Sequence, residues 1–150
     1  MRLFDLLKVW EPAFDPPKAK IHLARYNGNE RPLDVFLEGT FDWWQRWQTK
    51  RNFQREFVVS LVNTGSPTRW LYAGLFRSID YAEEADPKPH YFYTLERVHS
   101  CEAWVGRLYL ESVYTGRPPT SAARLWPTIS LWPNCYPSDC RSQTFQASRR

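Results

Sequence analysis

Residues 41–53, FDWWQRWQTKRNF, gather side chains suited to holding a ligand rather than transforming one. Trp43, Trp44 and Trp47 offer flat faces on which a nucleobase stacks. Gln45, Gln48 and Asn52 offer amides that match base edges, and Arg46, Lys50, Arg51 and Arg55 offer charge for phosphate. Neither Gly nor Pro interrupts the stretch, and Thr40 or Asp42 can cap it, so the pattern predicts a helix running to about residue 55. On that helix Phe41, Trp44, Trp47 or Gln48, and Arg51 share one side. Trp43, Trp47 and Lys50 share the next, and Arg46, Lys50, Arg51 and Arg55 form a basic edge. The plainer reading makes the tryptophans core fillers and the cations a solvated face. With 8 Trp in 150 residues, at least one is expected at the surface.

The chemistry of a self-sufficient enzyme is absent from the motifs. There is no GxxxxGK[ST] phosphate loop, GxGxxG, HExxH or GxSxG. His22, His90 and His99 are scattered, and Cys135 and Cys140 lack two further nearby ligands for zinc. Cys101 near His99 reads as a buried thiol beside a loop histidine, and Glu83, Glu84 and Asp86 as a solvated loop. No catalytic residue, metal or cofactor is therefore expected. A metal-dependent nuclease would have to use carboxylates such as Glu96, Glu102 or Glu111.

Composition sets the class. The chain is 43% hydrophobic and 24% charged, enough for one core, with a net charge of +4 that suits a polyanionic partner. No apolar run approaches the roughly 20 residues that cross a bilayer, and Asp5, Lys8 and Glu11 interrupt any secretory-type apolar core at the N-terminus. A cytoplasmic location follows by default, and three cysteines, an odd number, read as reduced thiols there.

Residues 2–10 have helical spacing, and the prolines of residues 11–20 end that helix. Residues 20–26 alternate like a strand, with Ile21, Leu23 and Arg25 against His22, Ala24 and Tyr26, followed by an Asn27-Gly28-Asn29 turn. Residues 32–37 read as further extended chain. Strands are expected over 57–62, over 69–81 with a bend at Gly74, over 90–98 and over 104–114. The predicted fold is α+β: a small barrel of about five or six strands with one or two short helices. Residues 1–118 form the domain, and residues 119–150, rich in Pro, Ser and Arg, read as a partly ordered tail or linker.

The order KIHLARYNG, PLDVFLEGTFDWWQRWQTKRNFQREFVVSLV, RWLYAGLFRSIDY, WVGRLYLESVYTGRP resembles the amino-terminal domain found ahead of some bacterial GIY-YIG nuclease domains, and the wider PUA-like group with its EVE and YTH modules. The resemblance spans residues 21–117. It implies a PUA-like barrel that holds a modified base in an aromatic cage. The implied partner is double-stranded DNA carrying such a base, and the implied role is the targeting part of a modification-dependent restriction nuclease. Carried over by position, the base pocket would comprise Trp43, Trp44 or Trp47, Asn52, and Trp70 or Tyr72, with His22 and Asn27 lining the same cleft. Arg25, Arg46, Lys50, Arg51 and Arg55 would meet phosphate. No GIY-YIG motif occurs, so nuclease activity would come from a separate domain. RNA binding by a PUA-like domain and a structural or oligomerisation role are the alternatives.

Overall fold

The protein is described here by a computed structural model, which covers residues 2–25, 31–65, 69–85, 87–111 and 128–131. In chain order the elements are helix α1 (Leu3–Trp10), strand β1 (Ala19–Ala24), helices α2 (Pro32–Leu37) and α3 (Phe41–Trp44), and strands β2 (Trp47–Gln48), β3 (Phe57–Asn63), β4 (Arg69–Glu84), β5 (His90–Arg97), β6 (Leu108–Glu111) and β7 (Thr128–Leu131). Seven strands form one curled mixed sheet in the order β1-β3-β4-β5-β2, and β6 and β7 extend from β4. Among the described residues only β1 and β3 run parallel. The chain is thus α+β. Strand β7 falls within residues 119–150, the stretch read as a tail.

Strand β3 is apolar on both faces because both are covered. Phe57, Val59 and Leu61 pack with Leu3, Phe4 and Leu7 of α1 and with Trp70, Tyr72, Leu75 and Leu110. On the other side Val62, Leu71, Ala73 and Ala24 pack under Phe36 of α2 and Phe41 of α3. Farther along, Val58 joins Phe53, Phe76, Tyr93 and Leu95. The bend expected at Gly74 is a β-bulge: Ser60 pairs with Gly74 and Leu61 with Tyr72, so Ala73 is the extra residue.

Three expected elements differ. Residues 32–37 form helix α2, not extended chain. Pro32 stands at a position where its missing N–H costs nothing, and Gly39, at φ 81°, closes the far end. The Gly39 and Thr40 amides donate to the Phe36 and Val35 carbonyls, the pair of hydrogen bonds that ends a helix in a left-handed residue.

The helix expected to reach residue 55 stops at Trp44. Tertiary packing overrides local propensity: Phe41 and Phe53 both lie against His22, with ring centroids 6.2 and 5.0 Å from its own. A continuous helix would set these two positions about 18 Å apart. Instead Trp47 and Gln48 pair with Phe92 and Tyr91 along the open edge of β5, and the Tyr93 amide donates to the Arg46 carbonyl. The amides read as base-edge groups help to hold this turn. Gln48 Nε2 donates to the Gln45 carbonyl and Asn52 Nδ2 to Gln48 Oε1, each at 2.6 Å. The strand expected over 104–114 begins only at Leu108, because residues 103–107 turn, with Gly106 at φ 75° donating to the Tyr72 carbonyl.

Candidate functional site

Helix α3 and strand β2 sort the three tryptophans by environment. Trp43 is 60% exposed and Trp47 39% exposed. Their rings meet edge to face at 6.0 Å, and Trp47 lies 4.7 Å from Phe92, its partner across the β2–β5 pair. The three rings make an aromatic surface at the sheet edge. Trp44 turns inward, 5.6 Å from Phe41 and 6.5 Å from His22. Asp42 fixes this helix to the sheet by accepting from Arg97 Nε at 3.0 Å and Nη2 at 2.5 Å.

Beneath α3 lies a polar group enclosed by rings. Gln45 is fully buried, and its Oε1 accepts from Ser60 Oγ at 2.6 Å and lies 3.2 Å from His22 Nδ1. Its Nε2 has no partner among the described residues. His22 and Ser60 meet because they are register partners of β1 and β3. Phe53 closes over the His22 ring edge-on.

Desolvation holds the His22 pKa down at about 4, against the opposing effect of its contact with Gln45 and with the help of the Lys20 charge. The imidazole is therefore neutral at pH 7. Its pKa is about 6.5 when unfolded, so the stability it confers is complete above that value and is lost as pH falls toward 4. Lowering pH from 7.5 to 4.5 is expected to remove about 2 kcal/mol through this residue. Urea unfolding at the two pH values measures the loss, and His22→Gln should abolish it.

The other expected pocket residues do not converge. Trp70 and Tyr72 are buried on the α1 face of β4, opposite α3, because side chains alternate along a strand. Tyr72 donates its hydroxyl to the Cys101 carbonyl at 2.9 Å. The pocket expected between the tryptophan segment and Trp70 is thus divided by the sheet. Asn52 is held by Gln48. Asn27 lies outside the described residues, as do Cys135 and Cys140.

No family model, curated protein or solved structure matches this chain.

The expected basic edge is also dispersed. Arg46 Nη2 donates to the Leu95 carbonyl, and Arg55 Nη1 to those of Pro17 and Ala19. Arg51 pairs with Glu83, and Arg25 lies over the Trp70 ring at 5.9 Å. Lys50 is exposed. Among the described residues no group of three His, Cys, Asp or Glu side chains is placed to hold a metal, and no helix is long and apolar enough to cross a membrane. Sequence reasoning missed Ser60, Phe92 and Arg97. The lone hydroxyl inside FVVSLV was the available signal for Ser60, since a polar group there needs a buried partner.

Proposed function

We propose that this chain is a nucleic-acid-binding module, PUA-like by its resemblance, that takes an extruded or modified base of duplex DNA against Trp43, Trp47 and Phe92. In this reading it is the targeting part of a modification-dependent nuclease and leaves cleavage to another domain. The observation that carries the reading is the exposure of two tryptophans side by side at a sheet edge. Exposed apolar rings of that size are costly to leave against water and suit a base, which has a π-face whatever its identity. The net charge of +4 favours the same partner.

Binding is measured at 0.15 M salt with duplexes carrying cytosine, methylcytosine or hydroxymethylcytosine, and with single-stranded RNA. A preference of about tenfold or more for one modified duplex is the expected result. Equal, steeply salt-dependent affinity for all of them would leave phosphate attraction alone and reject base reading. Tighter binding of RNA would move the module to the RNA-binding class. The same exposed rings also fit a protein interface; a dimer by sedimentation that Trp43→Ala dissolves would establish that instead.

A further inference from the structure

The outer half of the β4–β5 hairpin carries a second set of rings that the nucleic-acid reading leaves unused. Tyr81 pairs with Tyr93 and Glu83 with Tyr91, so these side chains share the face opposite Trp47 and Phe92. The Tyr81 and Tyr91 centroids are 6.0 Å apart with planes at 66°, and Tyr93 backs Tyr81 at 5.4 Å. Into this corner the chain places the Arg51 guanidinium, its central carbon 5.8 and 5.7 Å from the Tyr81 and Tyr91 centroids and a nitrogen 3.7 Å from a Glu83 carboxylate oxygen. Two ring walls and a carboxylate already hold a cation.

Two features narrow the ligand. The Glu83 contact lies beyond hydrogen-bond reach and acts through charge, which suits a cation that needs no hydrogen bonds. Glu83, exposed on this face beside Tyr91, also disfavours phosphate there.

We propose that Tyr81, Tyr91 and Glu83 form a recognition site for a quaternary ammonium head, that of trimethyl-lysine on a partner protein, and that Arg51 fills the site in the free chain. The ligand displaces Arg51, whose side chain is half exposed and held there only by surface contacts. The whole chain is titrated calorimetrically with acetyl-trimethyl-lysine amide and with its unmethylated counterpart. Arg51→Ala is expected to tighten binding of the trimethylated probe about tenfold over the native chain and to leave the unmethylated one weak. Adding Tyr81→Ala should abolish that gain. Glu83→Gln, which keeps the rings in place, should reduce it severalfold. The proposal is overturned if Arg51→Ala binds both probes alike or neither, or if its gain survives both the Tyr81 and the Glu83 substitutions.

Discussion

Gly74→Ala is expected to destabilise the protein by about 3 kcal/mol or more. Its backbone sits at φ 139°, where an L side chain is strained by about 1–3 kcal/mol. An added Cβ would also lie 2.7 Å from Arg97 Nη1 and 3.1 Å from the Phe76 ring. The guanidinium cannot withdraw freely, because it is committed to both Asp42 oxygens, to the Ala73 carbonyl at 3.4 Å and to the face of Phe76. Moving it loosens α3 as well as the bulge. Urea unfolding of Gly74→Ala, Arg97→Ala and the double variant separates the two causes. If room for Arg97 is what glycine provides, the glycine substitution should cost markedly less in the Arg97→Ala background. Equal cost in both backgrounds would leave backbone strain as the whole effect.

Trp43→Ala and Trp47→Ala are each expected to weaken binding of the preferred duplex about thirtyfold, since stacking on an aromatic side chain contributes about 1–3 kcal/mol per base. Trp43 is 60% exposed and its ring meets that of Trp47, itself partly exposed, so its removal should leave the unfolding midpoint nearly unchanged. Trp44→Ala should behave the opposite way, costing about 2–4 kcal/mol of stability because its ring packs on Phe41 and His22. Parallel binding isotherms and melting curves for the three variants check the division. Unimpaired binding by both Trp43→Ala and Trp47→Ala would remove the surface from consideration.

These contrasts also show what the sequence makes legible. The strands at residues 57–63, 69–84 and 90–97 follow from β-branched and aromatic runs, and α1 from its apolar spacing, because burial on these elements repeats with the backbone period. Helix α2 was written in the chain too, in Pro32 and Gly39, and is misread only if its short apolar run is weighed without its ends. The stop at Trp44 was not legible. It depends on where Phe53 must go and on the edge of β5, where Tyr91 lies 43 residues downstream of its partner Gln48, neither of which local spacing encodes. For the candidate site, the exposure of a tryptophan could be expected from number alone. Which one is exposed depends on that same stop, and the division of Trp70 from the α3 side depends on the side of β4 to which each residue falls.

The pairing of β1 with β3 carries a consequence for how the molecule assembles. β4 and β5 are joined by five residues, so their hairpin closes a short loop, whereas β1 must find β3 across the 32 residues between Ala24 and Phe57. Local closure is fast and distant parallel pairing slow, since chain entropy is lost before the contacts that reward it form. His22 rides on β1, while Ser60 and Gln45 belong to the part it joins. The imidazole therefore leaves water only when β1 docks on β3, a step expected after the β4–β5 hairpin has closed.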